Sequence, residues 1–239
     1  MTERVTPRRR GSYGIDAPYG PAFMAVMIVV VLVSAILSGR WQAFVQVTFM
    51  LAVLSWYLHS TLRGKFVAWA GLLDQLHLRG DERILDLGCG RGAVLLMAAQ
   101  HLTTGRAVGV DLWRSFDQSG NSLEATRRNA IAEGVADRVE LHTANMTALP
   151  FADSSFDVVV SSLAIHNISR RADREKAIKE AVRVLRPGGR LMIADVRATR
   201  QYQEHLARSG MHEVGRRRLA LPWCASLVTA TKPERRAVS

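Results

Sequence analysis

The stretch Ile84–Gly92, ILDLGCGRG, decides how this chain folds. It opens as a short apolar strand, passes Asp86, and turns through Gly88, Gly90 and Gly92. Glycines let the backbone turn tightly and approach a ligand closely. About 25 residues after Asp86 a second apolar run, AVGVDLW, reaches Asp111. An acidic side chain at that strand end can accept hydrogen bonds from both hydroxyls of a ribose. A glycine turn with two capping aspartates is the plain alternative.

Strands and helices alternate on either side of this loop. Arg83–Leu87, Arg106–Val110, Val139–Thr143, Phe156–Ser161 and Arg190–Asp195 read as strands, with helical stretches at Ala93–His101, Ser122–Glu133 and Asp173–Leu185 between them. Short all-apolar strands suit a sheet covered on both faces. Pro187-Gly188-Gly189 reads as a helix stop and turn. Glu213–Thr231 reads as two final strands broken by Pro222. The fold class is therefore α/β, a doubly wound, seven-stranded, mostly parallel sheet.

Upstream lie two stretches without Asp, Glu, Lys or Arg: Ala17–Gly39 and Trp41–Leu62. Their cores are the apolar runs Pro21–Ser38 and Trp41–Leu58. About 20 helical residues, rising about 1.5 Å each, cross a hydrocarbon core. Trp41, Trp56 and Tyr57 end the second run, where amphipathic rings favour the interface. Arg4, Arg8, Arg9 and Arg10 precede the first run, only Arg40 lies in the turn, and Arg63 and Lys65 follow the second. This charge pattern predicts a two-helix transmembrane hairpin, an integral membrane protein with both termini and the following domain cytoplasmic. A cleaved signal peptide would need an A-x-A-like exit, which is missing. Buried core helices would leave the lack of charge unexplained, although Gln42, Gln46 and Thr48 interrupt the second run. A hairpin entering one leaflet stays open. From Thr61 to Arg79, Phe66, Trp69, Ala70, Leu73 and Leu76 recur at near-helical spacing, as an amphipathic helix packed on the domain or on the membrane surface.

The chain carries a net charge of +11, which suits nucleic acid, anionic lipid or an anionic substrate. Beside two apolar spans, anionic lipid headgroups are the better specific partner. The two cysteines, Cys89 and Cys224, form neither a disulfide framework nor a metal-ligand pattern, so no metal is expected.

Taken together these residues resemble the Rossmann-like methyltransferases that depend on S-adenosylmethionine (SAM), whose first motif has the form hhDhGCGxG. The resemblance covers roughly residues 72–232. LPFADSSFDVVVSSLAIHNI (Leu149–Ile168) and VLRPGGRLMIAD (Val184–Asp195) look like that family's fourth and fifth strand regions. Among its subgroups the chain is most similar to the ubiquinone/menaquinone-biosynthesis type of C-methyltransferase. The resemblance implies SAM as cofactor. Asp86, Gly88 and Gly90 would line its amino-acid end, with Cys89 in the same loop. Asp111 would bind the ribose, and Leu112 and Trp113 would flank the adenine. Asn145 and Met146 stand where the family often has Asp and a small apolar residue, and the Asn145 carbonyl can still accept from the adenine amino group. Ser162 and Leu163 would face the sulfonium and the methyl.

Methyl transfer is an in-line displacement that gains from alignment and water exclusion, and needs a base only when the acceptor must lose a proton. His166, after the fourth strand, is one possible base, with capping or packing as its plain alternative. Asp117 is the other. It lies in WRSFDQSGN, Trp113–Asn121, an insertion relative to the family, which otherwise reads as an exposed loop ending in a helix start. The fourth strand lacks the N/D-P-P-Y/F pattern of enzymes that methylate nucleic-acid amines, so no nucleic-acid partner is expected. No long insertion follows Asp195. The acceptor pocket would then open toward the membrane-proximal helix and suit a small, lipid-soluble acceptor such as a quinone, isoprenoid or lipid headgroup. A soluble metabolite as acceptor, or a SAM-binding membrane protein without turnover, are the alternatives. The implied organisation is a basic tail over residues 1–20, the hairpin over 21–60, a linker helix over 61–79, the methyltransferase domain over 80–232 and a tail over 233–239.

Overall fold

The computed structural model describes residues 9–219 and 225–234; Arg4, Arg8, Pro222 and Cys224 lie outside them. Two long helices come first, α1 (Tyr19–Ser38) and α2 (Trp41–His59). Gly39 takes a left-handed conformation and donates its N–H to Ala35 O, which stops α1 and turns the chain. Both helices are long and apolar enough to cross a membrane, and only 11% of either apolar window is buried. Phe23, Val29, Ile36, Trp41, Phe49 and Trp56 are among the large side chains left exposed.

The second helix does not stop where its apolar run ends. A π-turn over Ser60–Gly64 carries it into α3 (Lys65–Asp74), giving one helical path of 34 residues. The near-helical stripe resolves as core packing. Phe66, Trp69, Leu72, Leu73 and Leu76 are buried against Leu95, Ala98 and Ala99 of α4.

The sheet follows, with β1 (Arg83–Leu87), α4 (Ala93–Gln100), β2 (Arg106–Asp111), α5 (Leu123–Ala132), β3 (Val139–Thr143), β4 (Phe156–Ser162), α6 (Arg171–Val184), β5 (Leu185–Asp195), α7 (Thr199–Arg208), β6 (His212–Arg218) and β7 (Ser226–Thr231). The strand order is β3-β2-β1-β4-β5-β7-β6, with β7 antiparallel to both neighbours and the rest parallel. Alternate residues of β1 face opposite layers. Ile84 packs with Trp69 and Leu95, whereas Leu85 packs with Ile178 and Tyr202. The order reverses between β1 and β4, and at such a switch point the strand ends leave a crevice.

Two differences from the sequence reading bear on the site. β5 begins at Leu185, five residues before the expected Arg190, and α6 ends at Val184. Pro187-Gly188-Gly189 lies inside the strand as an irregularity, because the Gly188 N–H donates to Lys232 O and the Lys232 N–H to Gly189 O. The second difference is at the start. Residues 10–17 are no free tail. They form a strap across the domain, against the Trp113–Asn121 loop and α5. Ile15 and Ser119 exchange bonds, with the Ile15 N–H on Ser119 Oγ and the Ser119 N–H on Ile15 O. The Ala17 N–H donates to Asp117 O. Glu133 accepts from the Tyr13 hydroxyl and from the Arg10 and Gly11 N–H groups. Asn129 pairs with the Ser12 backbone in both directions.

Candidate active site

The crevice at the switch point holds one cavity. The ends of β1, β2, β3 and β4 and the loops after them bring Asp86, Gly88, Cys89, Gly90, Asp111, Leu112, Asn145, Met146 and Ser162 to its walls, as well as Asp117. The N-terminal strap and α3 close the remaining side with Asp16 and Lys65.

The glycine loop is built for close approach. Gly88 has φ +73°, and a Cβ there would overlap the Cβ of Ala164. The Gly90 N–H donates to Asp111 Oδ2 at 2.8 Å. Asp111 Oδ1 accepts from the Trp113 N–H at 2.6 Å and from Asn121 Nδ2 at 3.2 Å. The acid at the end of β2 therefore sets the shape of both flanking loops. Beneath them, Asp86 is buried and its Oδ1 has no hydrogen-bond partner. Burial pushes its pKa up to about 7; the Leu95 backbone amide opposes this and Asp111 adds to it. Burial likewise raises the Cys89 thiol well above its usual range, so Cys89 is a small packing residue and no nucleophile.

Two expected residues stand elsewhere. Trp113 is not among the lining residues. Its φ is +58°, and its indole Nε1 donates to Thr143 Oγ1 on β3 at 2.7 Å. His166 is not among them either, although Ala164 and Asn167 on either side of it are. Its Nδ1 lies against Asp195 Oδ1 at the end of β5. Asp195 is buried and also accepts from the His166 N–H and the Tyr202 hydroxyl. Asp117 does line the cavity, and burial raises its pKa above the usual carboxylate range.

The sequence reading missed Asp16, Lys65 and Gln118. Lys65, counted there as a flanking positive charge, is only 5% exposed. Its Nζ donates to both oxygens of Asp16 at 2.9 and 2.8 Å. Asp16 also accepts from Thr61 Oγ1 and Gln118 Nε2, and Gln118 Oε1 accepts from the Arg91 N–H in the glycine loop. An unbroken polar chain thus joins the foot of the long helix to the glycine loop. Lys65→Met leaves Asp16 with neutral donors only. We expect a loss of about 3 kcal/mol in stability, seen as a lower melting temperature; an unchanged one would mean that the pair contributes nothing. One further link joins this helix to the site. Trp69 Nε1 donates to Ser162 Oγ at 2.9 Å.

Part of the chain matches known proteins. Residues 85–193 match the family described as "Methyltransferase domain". The ubiquinone/menaquinone biosynthesis C-methyltransferase UbiE of Dinoroseobacter shibae is 39% identical over 124 residues, 52% of this chain and 46% of that one. The methyltransferase GfsG of Streptomyces halstedii is 38% identical over 125 residues, 52% of this chain and 41% of that one. The match therefore spans less than half the length of these curated relatives. A SAM-dependent methyltransferase from Aquifex aeolicus, solved by crystallography, superposes with a TM-score of 0.56 at 19% identity, covering 68% of this chain and 88% of that one; at that identity the likeness speaks for the fold. With its strand order, its glycine loop and these matches, the chain carries a Rossmann-like SAM-dependent methyltransferase domain similar to those of ubiquinone and menaquinone biosynthesis.

Proposed function

We propose that this protein is a membrane-anchored methyltransferase that transfers the SAM methyl group to a small, lipid-soluble acceptor of the quinone or isoprenoid kind. One observation carries the reading: the helix that leaves the exposed apolar hairpin runs on, without a break, to the cavity wall. Lys65 lines that wall, and Trp69 holds Ser162 at the end of β4. An acceptor dissolved in the bilayer would reach the cavity along this helix.

The cavity fits SAM on its own chemistry. An unpartnered, buried Asp86 oxygen suits an α-ammonium group. The Gly88 position admits backbone but no side chain. Asp111 would take the ribose hydroxyls, Leu112 and Met146 would pack on the adenine, and the Asn145 carbonyl oxygen would accept from its amino group. Ser162 and Leu163 would border the sulfonium. When bound, SAM supplies an electrophilic methyl group.

The protein's own contribution is alignment, exclusion of water and removal of a proton. Asp117 is the group we assign to the proton. It faces the cavity, and its burial raises its basicity. His166 is held beside the cavity by Asp195, which accepts from its backbone N–H and lies against its ring.

The test uses full-length protein in nanodiscs with methyl-tritiated SAM and a membrane lipid extract. Label should pass into the organic phase, and Asp117→Asn should reduce this at least about 100-fold. Label in a water-soluble product would replace the lipid-soluble acceptor by a soluble metabolite. SAM binding without any transfer would leave a binding protein.

A further inference from the structure

A second groove, of about 1250 Å³, is lined by strap residues and shares no lining residue with the cavity. Three elements form it: the strap with Arg9 and Tyr13, the π-turn and start of α3 with Arg63 and Phe66, and the end of β6 with Arg217 and Leu219. His59, Thr61 and Leu62, where the apolar helix α2 ends, also line it.

Its lining is one-sided. It contains Arg9, Arg63 and Arg217 and no Asp or Glu. None of the three has a carboxylate within salt-bridge distance among the described residues. Some arginines elsewhere in the chain are paired, as Arg183 is with Glu180 and Asp153, and Arg186 with Asp157. The Arg9 guanidinium lies 3.7 Å from the centre of the Phe66 ring. Burial lowers its pKa and Arg63 lowers it further, against the opposing pull of Tyr13 and Glu133. Glu133 acts on it, but three donors already occupy that carboxylate. The groove thus concentrates positive charge that the fold leaves uncompensated. Its floor is apolar, with Phe66 and Leu72, and its rim carries Leu62 and Val67, 46% and 60% exposed.

We propose that this groove seats the phosphate of an anionic phospholipid on Arg9, Arg63 and Arg217, with the acyl chains lying along Leu62 and the outer face of α2. The proposal rests on the hairpin reading, since the groove meets lipid only if α1 and α2 lie in the bilayer. Charge complementarity selects the lipid. A guanidinium cluster matches a phosphate anion, and an apolar rim continuous with a membrane helix matches its chains.

Native mass spectrometry of the full chain, released from mild detergent with equal amounts of phosphatidylglycerol and phosphatidylcholine, measures this directly. Phosphatidylglycerol should be retained in about tenfold preference. Arg63→Gln and Arg217→Gln should each reduce its retention about fivefold. Arg63→Lys should keep most of it, and Arg171→Gln, on α6 and outside the groove lining, should change nothing. Equal retention of both lipids, or a preference that survives Arg63→Gln/Arg217→Gln, would overturn the proposal. Loss of the preference to millimolar inorganic phosphate would also overturn it, by showing a site for the free anion. Alkaline carbonate extraction separates the two readings. Release of the protein into the supernatant overturns the hairpin and the groove together, whereas retention in the pellet without lipid preference overturns the groove alone.

Discussion

Asp86→Asn should make the ligand-free protein more heat-stable while making it a poor SAM binder. The Asp86 carboxyl is buried, has an unpartnered oxygen, and has its pKa pushed up to about 7. An unfolded Asp titrates near 3.9. Between about pH 4 and pH 7 the folded chain therefore holds a proton that the unfolded chain has lost, and stability falls as pH rises through that window. At pH 8 the whole penalty is in force, with an upper bound of about 4 kcal/mol. Asparagine carries no charge to desolvate, so the variant should melt roughly 5–10 °C higher at pH 8, and the gap should close toward pH 5. The ligand reverses the sign. A SAM ammonium beside Asp86 needs the carboxylate, so its loss should weaken binding about 10- to 150-fold. In the wild type, affinity should fall as pH drops below 7. Melting curves at pH 5 and pH 8, with calorimetric titration of SAM, decide the matter. Equal melting temperatures at pH 8 would mean that the Asp86 oxygen has a partner after all.

Gly88→Ala should abolish SAM binding and destabilise the domain. The cost has two parts. A left-handed φ costs a residue with a Cβ about 1–2 kcal/mol, and the added methyl would overlap Ala164, adding about 1–3 kcal/mol of overpacking. The melting temperature should fall by roughly 5–12 °C. Ala164 follows β4 on the wall where the methyl group would lie, so relief of the clash moves that wall. Far-ultraviolet circular dichroism should still show the α/β signature, with no calorimetric SAM signal. Wild-type affinity in this variant would show that the loop approaches the ligand less closely than its geometry implies. Gly134→Ala offers a comparison. It shares the positive φ, at +71°, but meets nothing within 4 Å, so it should incur the backbone cost alone.

The sheet was legible because its signals are local. A strand, a glycine loop and an acid at the next strand end are readable from Ile84 to Asp111, and they fix β1, α4 and β2 to within a residue. The same stretch supplies Asp86, Gly88, Gly90 and Asp111 to the cavity wall. What sequence periodicity hides is contact made by polar side chains across long separations. The strap contributes Gly11, Ser12 and Gly14, with no apolar rhythm, and is held by bonds to residues more than 100 positions away. The pairing of Asp16 with Lys65 turns a nominal interfacial charge into a buried one, and leaves Arg63 to mark that end of the helix. The His166–Asp195 contact depends on β4 and β5 being neighbours, which spacing alone does not reveal.

On the proposed membrane anchoring, the unbroken path from α2 through the π-turn into α3 would make bilayer thickness an input to the reaction. A membrane helix answers a thicker or thinner hydrocarbon layer by tilting. Here the far end of that helix is clamped by the bond from Trp69 to Ser162 and by the pair of Lys65 with Asp16. A tilt in the bilayer must then be absorbed in the wider turn at Ser60–Gly64 or reach the wall of the cavity. In lipids of graded acyl length, turnover would trace an optimum where the hairpin stands unstrained, and the lipid composition of the host membrane would set the rate without any contact between lipid and substrate.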